Sequence, residues 1–281
     1  MTSCLNLQHA VRFGYLINAL TNGVQGLVCV PLFRDKRATK AFLQHIGVPV
    51  PGNLTAEQVN PNDTIVVKPC CATGGRGVRI GLAKDVLGLQ DDRLIAPEPG
   101  TLMEQFVTGN HYRVVVYHGT VLGAVRRTPA SVTGDGTHTV RQLIELSTAC
   151  RRLVPDESNS GLDQVPPAGV AVPVNKVSNF AQGGSVAVAP DVHDTVRELC
   201  RRVALFSGVA LFGVDLITPD IAAPLPPSAA VNELELFNDM NIHYLVRDRV
   251  WTMYVCLGIG YGLLLLIGLT AVAITTVRRA W

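Results

Sequence analysis

The sequence predicts an α+β protein of two lobes followed by one transmembrane helix. Three observations predict it. Short apolar runs of strand character alternate with segments of helical periodicity between residues 35 and 245, Gly-rich and Pro-rich breaks separate them, and residues 255–277 hold no charged side chain. A chain of 281 residues can bury one large core or two small ones. Lys and Arg number 24 against 22 Asp and Glu, and the positive residues are scattered rather than massed on one element. That pattern argues against nucleic acid as a partner.

Each element has a local cause. Asp35 can cap a helix in which Ala38, Phe42 and Ile46 recur at helical spacing until Gly47 stops it. The prolines of Val48-Pro49-Val50-Pro51 keep the next stretch extended. Strands are expected over 64–69, 78–80, 102–107, 112–117 and 121–126, with a turn at His118-Gly119, and the last three are expected to run as antiparallel neighbours. Helices are expected over 139–149 and 191–206, the second with Val192, Val196, Leu199, Val203 and Phe206 on one face. Late strands follow over 211–217 and 231–236. The expected organisation is a lead-in segment over 1–34, a domain over 35–245 with lobes of about 35–107 and 108–245, and a membrane helix over 251–277.

The 23 residues of 255–277 would rise about 34 Å as a helix, enough for a hydrocarbon core of about 30 Å. Trp251, Tyr254 and Trp281 sit near its ends as interfacial aromatics do, while Arg247 and Arg249 balance Arg278 and Arg279 as topology signals. Seven cysteines of irregular spacing, in a chain with no recognisable cleavable signal, point to a reducing, cytosol-facing compartment. Cys70-Cys71 lacks the CxxC or paired-His spacing of a zinc site and is expected to be two ordinary thiols.

Chemistry concentrates in two places. Lys68 ends the apolar run Ile65-Val66-Val67 just before Gly74-Gly75-Arg76-Gly77. Such glycines form either a turn or a cradle whose N–H groups wrap a phosphate, and the adjacent ammonium favours the cradle. No GxxxxGK[ST] run exists, which disfavours a P-loop. Asp215 lies among apolar strand residues, and alternation puts Glu233 and Glu235 on one face. Three converging carboxylates would repel one another unless a hard divalent cation joined them; alternatively they are a solvated strand face and a cap.

The motifs occur in a telling order. Arg34-Asp35-Lys36-Arg37-Ala38-Thr39-Lys40 comes first, then Gly47-Val48-Pro49-Val50-Pro51, Val66-Val67-Lys68-Pro69 and the glycine loop. Met103-Glu104-Gln105-Phe106-Val107-Thr108-Gly109, Tyr112-Arg113-Val114 and the run from Arg126 to Val140 through Gly134-Asp135-Gly136-Thr137-His138 come next. Asn179 with Gly183-Gly184, and Gly213-Val214-Asp215-Leu216, complete the set. The succession resembles the ATP-grasp domain of cyanophycin synthetase and of N-acetylglutaminylglutamine synthetase, over about residues 11 to 245.

The resemblance implies two α+β lobes gripping ATP, a carboxylate phosphorylated to an acyl phosphate, and an amine that attacks it. It implies that Lys36 and Lys68 hold phosphates while Thr73, Gly74, Gly75, Arg76 and Gly77 fold over them. It makes Glu104, Gln105, Phe106 and Val107 the hinge beside adenine, and sets His111 where the family often has an acid near the ribose. Arg113, Arg126 or Arg127, and Asn179 would attend the transferred phosphoryl group. Asp215 and Glu233, with Glu235 or Asn238, would hold Mg²⁺ or Mn²⁺. Where the family has Glu-x-Asn and a Pro-containing turn, this chain has Glu233-Leu234-Glu235-Leu236-Phe237-Asn238-Asp239. A match to the later His243 puts Glu235 in the asparagine's place; a slipped strand uses Glu235 and Asn238. The expected substrates are a small-molecule or peptide carboxylate and amine, on a protein held by a single-pass C-terminal anchor with its domain in the cytosol. An oligomer is compatible with this. The competing expectation is a nucleotide-binding or scaffolding protein that has lost catalysis.

Overall fold

The computed structural model describes residues 4–91, 93–147, 161–174, 178, 183–236, 242–243, 246 and 248–279, with 4–11, 14 and 271–279 as backbone only. The strands are β1 (Thr64–Pro69), β2 (Arg79–Leu82), β3 (Leu89–Gln90), β4 (Arg93–Leu94), β5 (Thr101–Gln105), β6 (Asn110–Tyr117), β7 (Thr120–Thr128), β8 (Ser131–Thr133), β9 (Ala171–Pro173), β10 (Ser185–Val188), β11 (Leu211–Thr218) and β12 (Ala230–Glu235). The helices are α1 (Cys4–Arg34), α2 (Lys36–His45), α3 (Ala83–Leu87), α4 (Val140–Leu146), α5 (Asp194–Ser207) and a C-terminal helix, Arg249–Arg279.

Two sheets dominate, ordered β2-β1-β5 and β10-β7-β6-β11-β12, with every pairing antiparallel. In β1 the alternation sends Ile65 and Val67 into a small core with Met103, Ala83 and Val86, which leaves Val66 and Lys68 on the other face. The expected run of antiparallel neighbours over 102–126 is corrected here. β6 and β7 do form a hairpin through His118 and Gly119, whose φ angles of 47° and 78° suit a tight primed turn. β5, however, pairs with β1 in the smaller sheet. Strand character alone does not name a partner, and residues 106–109 carry the chain from one sheet to the other.

The larger sheet buries Tyr112, Val114, Val116, Phe212, Val214, Leu216 and Leu234 against α5, whose inward face is Val196, Leu199, Cys200 and Val203. Phe206, expected on that face, is 60% exposed. The helical stripe advances to Ser207, which is buried, and Gly208 ends the helix in the left-handed conformation. Leu43 of α2 and Ile46, which caps its C-terminus, belong to this large core, so a helix expected in the first lobe packs against the second sheet.

Residues 4–34 are more than a lead-in. They form α1, which bends at Gly23 (φ 49°, ψ −137°) and ties itself to the sheet. The amide of Asn22 donates to the Leu211 carbonyl and accepts from its N–H, both at 2.8 Å, as a neighbouring strand would. Gln25 donates to the Ser207 carbonyl at 2.7 Å.

The C-terminal helix is also partly absorbed by the fold. Asp248 accepts from the Trp251 N–H at 3.0 Å and from His243 at 2.7 Å. Val250 and Tyr254 are fully buried with Ile17, Val115 and Leu211, and Asn18 donates to the Tyr254 hydroxyl at 3.0 Å. The expected boundary at residue 245 therefore cuts through a packed cluster. Beyond Tyr261, Leu263, Leu264, Leu265, Leu266 and Ile267 are all exposed. By length and composition both Arg249–Thr270 and Tyr15–Arg34 could cross a membrane, yet α1 packs on the sheet, so length and composition do not by themselves separate a span from a core helix.

Candidate active site

The two sheets face each other across a cleft of about 880 Å³, counting its open mouth. Alternation in β1 delivers Val66 and Lys68 to it, and β5 delivers Glu104 opposite Val66. From the larger sheet come His111, Arg127, Asp215, Ile217 and Glu233. His111 stands opposite Arg127 and Ile217, and Asp215 stands opposite Arg113 and Glu233, so these side chains share one face. A register shift beside Asp215 leaves Asn232 without a cross-strand partner, and this bulge lets consecutive Asn232 and Glu233 both reach the cleft.

The charges fall into two networks. In the first, Glu104 is a buried carboxylate between two lysines: Lys40 Nζ lies 2.6 Å from Oε1 and Lys68 Nζ 2.7 Å from Oε2. Lys40 also donates to Asn53 at 2.5 Å, and Lys68 to Asn232 at 3.0 Å. Burial lowers the Lys40 pKa, with Lys68 adding to the effect and Glu104 opposing it. In the second, Asp215 accepts from Arg113 and lies 2.8 Å from Arg127, and Arg113 also reaches Glu235 at 3.3 Å. Lys36, at the start of α2, bridges to Glu233 at 2.8 Å and donates to the Ala72 carbonyl at 2.5 Å.

These contacts set the protonation of the acids. Burial pushes the Asp215 pKa up, but Arg113 and then Arg127 outweigh it and hold the carboxyl below its ordinary range. Glu235 goes the other way, to about 7, because of burial and the negative charges of Asp215 and Glu233, with Arg113 opposing. His111 is lowered by burial and by Arg127, which favours the neutral imidazole. Asp215, Glu233 and Glu235 offer oxygens that all lie within 4.8 Å of one another, the one metal-compatible group among the described residues. Three hard oxygen donors fit Mg²⁺ or Mn²⁺.

The loop between β1 and β2 turns on Gly74, Gly75 and Gly77, with φ of 69°, 70° and 71°. At Gly77 a side chain is excluded twice over, by that φ and by Pro69, whose Cγ would lie 2.9 Å from an added Cβ. Gly75 and Arg76 line the cleft.

Residues 33–124, which hold both lysines, the glycine loop and Glu104, match the ATP-grasp domain family. The chain carries an ATP-grasp domain. It is distantly similar to cyanophycin synthetase of Crocosphaera subtropica, 28% identical over 79% of this chain and 30% of that protein. It is also similar to the glutathione biosynthesis bifunctional protein GshAB of Enterococcus faecalis, 26% identical over 77% of this chain and 33% of that protein. The chain thus spans about a third of the length of these relatives. Among solved structures, the bifunctional glutathione synthetase of Pasteurella multocida aligns with a TM-score of 0.47 and 23% identity, over 77% of this chain and 34% of that one.

Within the ATP-grasp domain, Lys36, Lys68, Gly75, Arg76, Glu104, Gln105, Phe106, Val107, His111, Arg127, Asp215 and Glu233 line a single cleft. Arg113 joins it through Asp215, and Glu235 through Arg113. Thr73 and Gly74 lie at the exposed turn of the loop, where Thr73 accepts from Arg76. Arg126 is exposed on the opposite face of β7 from Arg127 and does not line the cleft. Asn179 and Asn238 lie outside the described residues. Sequence reasoning set Glu104 beside adenine through its backbone, whereas its side chain is the counterion of two lysines. It missed Lys40, Asn53, Asn232 and Ser178. Helical spacing from Lys36 to Lys40 was the available signal for Lys40. For Asn232 there was none, because a bulge breaks the alternation. Cys70 is buried and Cys71 exposed, and burial pushes the Cys70 thiol up in pKa.

Proposed function

We propose that the chain is an ATP- and Mg²⁺-dependent carboxylate–amine ligase that forms an amide or peptide bond through an acyl phosphate. One observation carries the reading: cations suited to phosphates, Asp215 and Glu233 of a three-carboxylate group suited to a divalent ion, and an apolar slot line the same cleft. Val66, Ile80, Phe106 and Ile217 supply the slot for a base, with the backbone of 105–107 at its edge. Lys36 and Lys68 meet the phosphates, and the glycine loop brings N–H groups over them. Asp215, Glu233 and Glu235 hold the metal, which neutralises charge on phosphate oxygens when bound. Arg113 and Arg127, which Asp215 aligns, face the group in transfer. Relatives named for cyanophycin and glutathione synthesis support amino acids or peptides as the carboxylate and the amine.

Glu235 supports a second reading, a nucleotide-binding domain without turnover, since it stands where the resemblance expects asparagine. ADP release by the full chain, stimulated by a pool of amino acids, is the expected result for the ligase. Nucleotide binding with no stimulated release under any amine or carboxylate would support the second reading instead. We further propose that the exposed apolar part of the C-terminal helix anchors the protein to a membrane with the domain in the cytosol, where ATP is available. Protease added outside intact cells should then spare the domain, and digestion there would overturn this orientation.

A further inference from the structure

α1 is turned inside out for a helix that faces water. Between Leu16 and Phe33 its polar side chains are Asn18, Thr21, Asn22 and Gln25, and each is bonded to the protein. Asn18 and Thr21 meet the hydroxyls of Tyr254 and Tyr261 on the C-terminal helix, both at 3.0 Å, while Asn22 and Gln25 take the backbone of Leu211 and Ser207. What remains outward is apolar: Leu16, Leu20, Val24, Leu27 and Val28 are 48–76% exposed. A helix on a water-washed surface shows the reverse, with polar side chains outward and an apolar stripe toward the core. A contiguous exposed apolar face of this kind marks a surface that meets something other than water.

Two further observations say what covers it. The face is continuous with the exposed part of the C-terminal helix: Phe13 packs edge-on against Trp251, and beyond the contact of Thr21 with Tyr261 each helix goes on with apolar side chains outward, Val24, Leu27 and Val28 on one and Leu263 to Ile267 on the other. Charge is the second. No acidic residue occurs in 4–34 or 249–279, while the exposed Arg12 and Arg34 bracket the apolar stretch of α1. A second copy of the chain would bring the same acid-free face, with no carboxylate for these arginines, whereas lipid phosphates supply the anions. We propose that the outward face of α1 is a second membrane contact, seated in the headgroup–acyl boundary of a bilayer containing anionic lipid. This rests on the reading of the C-terminal helix as an anchor. The ATP-grasp domain is then held flat against the bilayer by two surfaces instead of hanging from one helix.

The test places single tryptophans in the full chain, reconstituted in vesicles of equal parts phosphatidylcholine and phosphatidylglycerol with bromine-labelled acyl chains. Trp251→Phe and Trp281→Phe remove the native indoles, and Leu20→Trp, Val24→Trp or Leu89→Trp then supplies one. All three positions are exposed, so an indole fits without disturbing the core, and Leu89 lies on β3, away from both helices. Emission from positions 20 and 24 should be quenched by the brominated lipid several-fold more than emission from position 89. Flotation of the chain with the vesicles but equal quenching at all three positions overturns the contact through α1 and leaves the anchor standing. Positions 20 and 24 shielded from both the lipid bromines and aqueous acrylamide would mean that protein, such as a second copy, covers the face, and would overturn the lipid contact too. Failure of the full chain to float with the vesicles overturns the anchor, and the second contact with it.

Discussion

Replacing Glu104 with Gln keeps the shape of the side chain and removes the only carboxylate among the described residues that touches Lys40 and Lys68. The three side chains are 3–6% exposed, and the contacts are 2.6 and 2.7 Å. Breaking a buried ion pair by removing one partner typically costs about 3–5 kcal/mol, because the other charge is left without compensation. Here two ammonium groups lose one counterion, so the upper part of that range is expected. A ceiling also exists. Lys40 can give up its proton, and moving from its ordinary pKa of 10.5 to pH 7 costs about 5 kcal/mol at ~1.4 kcal/mol per unit. The sign of the pH dependence follows. Burial already lowers the folded-state pKa of Lys40, so between that value and 10.5 the unfolded chain binds more protons and stability rises with pH. Without Glu104 the folded pKa falls further, and the rise should start at lower pH and be larger. Urea unfolding of the full chain in mild detergent, from pH 6 to 10, reads both effects. Adding Lys40→Met to Glu104→Gln should recover part of the loss. A loss below about 1 kcal/mol, with no steeper alkaline rise, would refute the counterion role.

Further outcomes test the same architecture. Lys68→Ala should weaken nucleotide binding by about tenfold or more in direct titration, and unchanged affinity would remove Lys68 from the phosphate site. Asp215→Asn should abolish Mg²⁺-dependent ADP release; because Asp215 also neutralises Arg113 and Arg127, it should lower stability as well, and full ADP release would refute its metal role. In the metal-free protein, Glu235 has a folded pKa raised from 4.5 to about 7, so the folded state binds the extra proton and stability falls as pH rises through that window. Glu235→Gln should flatten that fall, although solvent screens part of the effect at a side chain 32% exposed. Truncation after Arg249 should yield aggregates because it strips Val250 and Tyr254 from a buried cluster; truncation after Tyr261 should yield a dispersed, nucleotide-binding domain. Equal behaviour of the two truncations would show that the packing of these residues is dispensable.

The amino-acid order determined the parts of this protein that depend on neighbours a few residues apart. Asp35 caps α2 because its carboxylate accepts from the Arg37 N–H two residues on. Alternation in 64–69 put Lys68 on the opposite face from Ile65 and Val67, and alternation in β12 put Glu233 and Glu235 together. The glycines after Lys68 were legible because only glycine adopts a left-handed turn freely. What the sequence left open is whatever depends on which distant segment arrives. Pairing of β5 with β1, rather than β6, needed the sheet itself. Seating of α1 against Leu211, and of Tyr254 against Asn18, joins residues 189 and 236 positions apart, which no periodicity reports. Glu104 as counterion to Lys40 and Lys68, and Asp215 clasped by two arginines, are likewise products of tertiary proximity. Spacing along a chain states which face a side chain takes, and only the folded structure decides which charge stands opposite it, because Coulombic and hydrogen-bonding energies depend on distance in space and not on separation in sequence.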